Sequence, residues 1–333
     1  MLASGFSFPT MAFKDIHSVA PRLIKPTRLI AGATVALIAP CSPPSDEKLT
    51  KAIANISALG FHMVEGKNLR KRLGYLAGTD TERLDDFHWA FKDPLIDAVW
   101  CVRGGYGGSR ILPNIDYSLI RKHPKPFIGY SDVTALHIAI HVRTGLVTFH
   151  APGAAADFPE NTLQHFRAIL MDGAEKHTIE APTKDFPGEE YKPFTISPGK
   201  AIGTLMGGNL SLLSAMVGTP FTPVFRGKIA FIEDVGEQPY RLDRMLTQLL
   251  QATDLSKAAG IVLGVFNDCQ PKPDSPSWSL AEMLKDRLGG LGIPVVYGIP
   301  FGHVAYQATL PYGIRAELDA TAQLLTIMEP SVR

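Results

Sequence analysis

The chain has 333 residues, 45% of them apolar, with 33 basic and 32 acidic side chains and a net charge of +1. That length predicts about two domains, the apolar share excludes a disordered chain, and the near-neutral balance excludes a basic face for nucleic acid or an anionic membrane. Its three cysteines, Cys41, Cys101 and Cys269, are odd in number and widely spaced; this fits neither a disulfide framework nor a zinc site and suits a reducing compartment.

The N-terminus lacks the pattern of an export signal, because the first cation is Lys14 and Asp15 follows at once. No later apolar run approaches the roughly 20 residues that span a bilayer. A cytoplasmic protein with no membrane partner is expected, with residues 1–30 as an N-terminal tail. From there strand-like and helix-like segments alternate. Ala33 to Ala39 is a short apolar run ending at Pro40, the pattern of a buried strand. Ser45 offers an N-cap to a helix whose apolar face is Leu49, Ala52, Ile53, Ile56 and Leu59, and Gly60 stops it. Asp80 to Lys92 reads as a helix, Ile96 to Val102 and Pro126 to Gly129 as strands, and Asp132 to Val142 as a helix. Strand–helix–strand repetition predicts an α/β fold with a parallel sheet covered on both faces.

Residues 172–199 collect Pro182, Pro187, Pro193 and Pro198 among polar residues, which predicts a linker between a domain over 31–171 and a second over 200–330. In the second, Ala201–Met206, Lys228–Ile232, Ile261–Phe266 and Pro294–Ile299 read as strands and Tyr240–Gln251 as a helix. Two further strands are expected around 314–318 and 323–328.

Four segments could carry chemistry. Arg103-Gly104-Gly105-Tyr106-Gly107-Gly108 follows a strand, and consecutive glycines let the backbone approach a ligand and present N–H groups. A nucleotide site is not read here, because no Gly-Lys-Ser/Thr follows and the dinucleotide spacing is absent; a plain turn has the same composition. Gly129-Tyr130-Ser131-Asp132 puts a serine between a strand and a helix, where a nucleophile elbow presents its hydroxyl. Val133 breaks the Gly-x-Ser-x-Gly pattern, and a serine there is also the commonest N-cap. Glu233-Asp234 ends an apolar strand, where carboxylates face a crevice or simply cap the next helix. Gly302-His303 follows another strand, and a lone histidine is more often structural. Acyl transfer needs a nucleophile, a base and a carboxylate that fixes the base; Ser131, His303 and Glu233 supply the three types, all after strands. No metal motif competes, and no cofactor is expected.

Further matches extend the pattern along the chain: Gly74-Tyr75-Leu76-Ala77-Gly78-Thr79-Asp80, the Arg103 and Ser131 segments, Gly207-Gly208-Asn209-Leu210, Glu233 through Arg244, and Gly302-His303. Together, from about Ala33 to about Glu329, they resemble the LD-carboxypeptidases, serine peptidases whose relatives include the microcin C self-immunity hydrolases. The resemblance implies a Rossmann- or flavodoxin-like parallel N-terminal domain carrying the nucleophile and a β-rich C-terminal domain carrying acid and base. It implies Ser131 as nucleophile, His303 as general base, Glu233 as the residue orienting it, and the backbone N–H groups of Gly105 and Asp132 as the oxyanion hole. It further implies a homodimer acting on a muropeptide tetrapeptide of cell-wall turnover, at the bond between the L-centre of a diamino acid, commonly meso-diaminopimelate, and terminal D-alanine. The substrate carboxylate calls for a cation or N–H donors: Gly104, Arg103 and Arg241 are the candidates. Asn209 either lines the cleft or caps the helix from Leu210. Cys41, and Ala151 after His150, depart from the family pattern. The alternatives are an immunity-type hydrolase of acyl-adenylate analogues and a non-catalytic binding protein on the same fold.

Overall fold

The computed structural model describes residues 21–184, 188–273 and 276–333. In chain order the first half carries β1 (Thr34–Ile38), α1 (Asp46–Ala58), β2 (His62–Glu65), α2 (Asp80–Lys92), β3 (Ala98–Cys101), α3 (Gly108–Ile111), α4 (Tyr117–Lys122), β4 (Phe127–Gly129), α5 (Thr134–Thr144), β5 (Phe149–His150) and α6 (Glu160–Arg167). The second carries β6 (His177–Glu180), β7 (Phe194–Ser197), β8 (Lys200–Asn209), α7 (Leu210–Ala215), β9 (Ile229–Glu233), α8 (Pro239–Ala252), β10 (Gly260–Leu263), α9 (Leu280–Leu288), β11 (Val295–Tyr297), β12 (Leu310–Pro311), β13 (Arg315–Asp319) and β14 (Leu324–Ile327).

Local chemistry sets these boundaries. The Ser45 hydroxyl accepts from Lys48 N–H at the start of α1, and Leu49, Ala52 and Ile56 turn inward. Thr79 and Glu82 close a reciprocal capping box on α2, and Ser279 and Glu282 do the same on α9. The α9 box is a helix-start signal carried by the spacing of Ser279 and Glu282 alone.

Two sheets result. The first runs β12-β5-β4-β3-β1-β2 and is parallel except for β12, which pairs antiparallel with β5. The second runs β6-β14-β13-β8-β9-β10-β11-β7. Its centre, β8 to β11, is parallel, and antiparallel strands flank it on both sides. The central strands β1, β3, β9 and β10 are almost entirely buried, as parallel strands covered on both faces must be.

Two expectations are corrected. The proline-rich stretch 172–199 is not a bare linker: it supplies both outer strands of the second sheet, β6 and β7. Pro193 and Pro198 flank β7 rather than interrupt it, and an edge strand tolerates proline there; Pro187 lies outside the described residues. The tail also ends earlier than expected. Residues 1–20 lie outside the described residues, but Ile24 exchanges backbone hydrogen bonds with Gly145 and Val147, Leu29 donates to Leu170, and Lys25 pairs with Glu329 at 2.7 Å.

The two sheets are tied together close to the site. Tyr312, just after β12, donates its hydroxyl to Gly207 O at 2.7 Å, and Asn209 N–H donates to the Thr134 hydroxyl at 3.0 Å. Thr134 opens the helix after Ser131, and Asn209 pairs in register with Glu233. A short bonded path therefore runs from the serine turn to the carboxylate.

Candidate active site

Ser131 stands between β4 and α5, at the carboxyl end of a parallel strand, where open α/β sheets place their ligands. Its φ is +65°, in the left-handed region that costs a residue with a side chain of the order of 1–2 kcal/mol. Neighbours hold it there. The buried Asp132 carboxylate accepts the N–H of Gly108 at 2.7 Å, pinning the glycine-rich loop against the serine turn. Gly104 packs so closely that a Cβ on it would lie 2.9 Å from Ser131 Cβ and 3.0 Å from Asp132 N, so only glycine permits the approach. The Ser42 hydroxyl accepts the Tyr106 N–H at 3.0 Å and secures the far side of the loop. Among the described residues, the N–H groups of Gly105 and Asp132 have no acceptor in this network.

His303 reaches the same point from the second sheet. Its Nε2 lies 3.1 Å from Ser131 Oγ, and its Nδ1 lies 2.7 Å from Glu233 Oε2. A carboxylate only accepts, so Nδ1–H donates, and the neutral ring leaves Nε2 free to accept the serine proton. These three side chains come together across 172 and 70 residues of sequence. Glu233 is the last residue of β9 and fully buried. Gly302, with φ +96°, lies directly against it: a Cβ there would sit 2.5 Å from Glu233 Oε2. The Tyr130 ring packs 4.9 Å from the His303 ring.

Burial and charge oppose each other at this corner. Burial alone would hold the His303 imidazole neutral, but the Glu233 carboxylate overrides it and raises the pKa above its ordinary value. Burial likewise pushes Glu233 up, and His303 brings it below the usual carboxylate value. Asp234, next along, is raised to about 6 by burial and by the Glu233 charge. Its carboxylate accepts from Asn209 Nδ2, from Ser211 N–H and Oγ–H, and from Val235 N–H, all at 2.8–2.9 Å.

A serine, a histidine, a buried carboxylate and two free N–H groups, brought together from two sheets, match what comparison with known proteins finds. The N-terminal domain model of the LD-carboxypeptidases matches residues 35–151, and their C-terminal domain model matches residues 202–318. The chain belongs to the LD-carboxypeptidase family. It is therefore an enzyme, a serine-type peptidase. It is 44% identical over 309 residues to a probable murein peptide carboxypeptidase of Bacillus subtilis, covering 92% of this chain and 95% of that one. A crystal structure of muramoyltetrapeptide carboxypeptidase from Oxalobacter formigenes superposes with a TM-score of 0.78 at 33% identity, over 90% of this chain and 99% of that one. The microcin C7 self-immunity protein MccF of Escherichia coli is 29% identical over 316 residues, 87% of this chain and 91% of that one.

In this LD-carboxypeptidase a cleft of about 220 Å³ opens at Ser131, lined by the 102–105 loop, Tyr130, Ser131 and His303 together with Lys48, Gly153, Ala155 and Ala156. A larger concavity of about 440 Å³ lies around Thr27, Ile30, Asp97 and Arg333; no serine, cysteine or histidine lines it. Of the expected substrate-contact residues, Arg103 and Gly104 line the cleft. Arg241 does not: it is exposed on α8, bonded to Tyr240 Oη at 3.1 Å and to Glu237 at 3.4 Å. Asn209 is buried, and its side-chain oxygen accepts the Leu212 N–H to cap α7. Tyr130 and Gly302 stand in the sequence motifs without a role assigned to them, and Lys48 stands in none. Gly302 had a signal, as a glycine before the histidine; Lys48 had none, one lysine among several on an exposed helix. Cys41 is buried, with its thiol pKa pushed well up by burial and by Asp132, so it stays protonated. Among the described residues no cluster of three His, Cys, Asp or Glu side chains is arranged to hold a metal ion, and no helix is long and apolar enough to cross a membrane.

Proposed function

We propose that this protein removes terminal D-alanine from murein tetrapeptides, cutting the bond that joins it to the L-centre of the diamino acid, with Ser131, His303 and Glu233 as its catalytic residues. The observation that carries the reading is the chain of contacts from Ser131 Oγ through His303 to the buried Glu233, at 3.1 and 2.7 Å, on the floor of a cleft. His303 Nε2 takes the hydroxyl proton as Ser131 Oγ attacks the scissile carbonyl. Glu233 stabilises the imidazolium that forms and stays ionised. The N–H groups of Gly105 and Asp132 receive the oxyanion, at about 3 kcal/mol per donor. Protonated His303 then gives its proton to the leaving amine of D-alanine, and water, activated by the same ring, releases the peptide from Ser131. Arg103, beside Gly104, receives the terminal carboxylate that makes this an exopeptidase.

The names of the Bacillus and Oxalobacter relatives support a murein substrate. An acyl-adenylate substrate would need an aromatic platform for its base. The aromatic rings lining this cleft, Tyr130 and His303, are already packed on one another. We further place the enzyme in the cytoplasm, where its three free, buried cysteines stay reduced, as a homodimer.

The test is alanine release from L-Ala-γ-D-Glu-meso-diaminopimelate-D-Ala and from the same peptide ending in L-alanine, followed by mass spectrometry, with Ser131→Ala in parallel. Release from the first peptide alone, lost in the variant, is the expected result. Release that persists without the hydroxyl overturns the nucleophile assignment, and no release from either peptide overturns the substrate, with acyl-sulfamoyl adenylates next to try.

A further inference from the structure

The cleft carries two cations with no protein counter-charge. Lys48 and Arg103 both line it, and Arg103 adds to burial in lowering the Lys48 pKa. Among the described residues, neither side chain hydrogen-bonds to or pairs with a protein carboxylate. Glu47, the neighbouring acid, is exposed in the first turn of α1 and makes no ion pair with Lys48. Asp157, next to the lining residue Ala156, is held by Lys51 one turn further along the helix. Lys48 is exposed at the cleft and Arg103 partly buried in it, so together they give the cleft a positive field that favours an anionic ligand.

The two cations enter the cleft from different elements. Arg103 directly precedes Gly104, the residue packed against Ser131, and its guanidinium reaches to 3.5 Å from where a Cβ on Gly105 would lie. The substrate's terminal carboxylate is only three bonds beyond the scissile carbonyl carbon, so it must stay beside this loop. Lys48 comes from α1, which Asn55 holds against the 154–156 segment, and it enters the cleft from that helix rather than from the glycine-rich loop. A second anion is favoured there, and a diamino acid with an acid at its far end supplies one.

We propose that Lys48 binds the distal carboxylate of the diamino acid and so selects diaminopimelate over lysine at the cleavage position. This rests on the murein reading above. Lysine would present only an ammonium at that place, which Lys48 and Arg103 repel. Diaminopimelate presents a carboxylate beside its ammonium.

Three tetrapeptides test this: one with meso-diaminopimelate, one with the same residue amidated at its distal carboxylate, and one with L-lysine. Wild-type kcat/KM should favour the first over the other two by about tenfold, the scale of one charge-assisted contact. Lys48→Met keeps the apolar stem and should lose that factor on the first peptide alone, bringing the ratios near one. Lys48→Glu should go further and favour the lysine peptide. An equal loss on all three peptides would mean that Lys48 serves a group common to them, and no loss on any would remove it from the site; either result overturns the proposal. A wild-type enzyme that cleaves all three equally overturns the selectivity alone. One that cleaves none brings down the murein reading and this inference with it.

Discussion

The two halves of the site are built in opposite ways. The Ser131 half is the more local: the strained residue, its supporting Asp132 and its entering helix lie within a few residues of one another, the glycine-rich loop closes over them, and the energy stored there is backbone strain. The Glu233–His303 half is long-range: an acid at the end of β9 and a histidine beyond β11 meet behind Gly302, and the cost there is desolvated charge. One half stores its readiness in a torsion angle, the other in a buried carboxylate–imidazole pair whose partners offset each other's burial. Substitutions can therefore separate activity from stability in different directions on the two sides.

The largest effect is expected at the strained turn. Ser131→Gly and Ser131→Ala should each lower kcat by about 10⁴-fold or more, as loss of a serine nucleophile does. They should differ in stability, because alanine keeps the positive φ and glycine relieves it. Ser131→Gly should be more stable than Ser131→Ala by about 1 kcal/mol in urea unfolding. Equal midpoints would show that the left-handed turn holds no strain, and the contrast between the halves would lose its first term.

On the other side the weak point is a neighbour of the charges. Gly302→Ala adds a methyl 2.5 Å from Glu233 Oε2 and 2.7 Å from its Cγ, so the carboxylate must move. A fall in kcat of roughly 10²-fold with little change in KM is expected, from loss of the base's orientation. Gly236→Ala is the control: its φ is +72° but nothing lies within 4 Å of the added carbon. It should cost about 1 kcal/mol of stability and leave kcat alone. If both variants lose activity alike, backbone strain rather than the Glu233 contact is responsible.

The same contrast explains what could be read from the chain. The serine turn, α1 and α2 are set by neighbouring residues, and their caps, apolar stripes and strand-ending glycines were legible. Glu233 and His303 were nameable by residue type, but only the family resemblance joined them, because no local pattern encodes a contact across 70 residues. The outer strands β6 and β7 were hidden by prolines that mark a linker by composition, yet edge strands accept them. Residues 21–30 were assigned to a tail because what orders them is pairing with Gly145, Val147 and Leu170, far along the chain. Lys48 was illegible for a further reason: its meaning lies in having no partner, and only the folded arrangement shows that Lys51 takes the nearby carboxylate and Lys48 does not.

The smallest and most diagnostic effect concerns the acid beside the acid. Asp234 helps Glu233 hold the His303 pKa above its usual value. His303 must be neutral to accept the serine proton, so kcat/KM should rise with pH as the ring deprotonates, with the midpoint of that limb above 6.5. Asp234→Asn removes one of the charges favouring the imidazolium, and the limb should move to lower pH, leaving the variant relatively more active on the acidic side. Stability provides a second, independent readout. A carboxyl raised to about 6 in the folded protein binds its proton more tightly folded than unfolded, so its share of stability is largest at low pH and is lost as pH rises from about 4 to about 6. His303, also raised, adds stability below about 6.5 that is lost as pH climbs through its folded value. Both slopes run downward with pH. Asp234→Asn should remove the first and shrink the second, while lowering stability at every pH, because its amide nitrogen cannot replace an oxygen that accepts from Ser211 or Asn209. A variant with an unchanged acid limb would confine Asp234 to capping α7 and leave Glu233 alone to set the base.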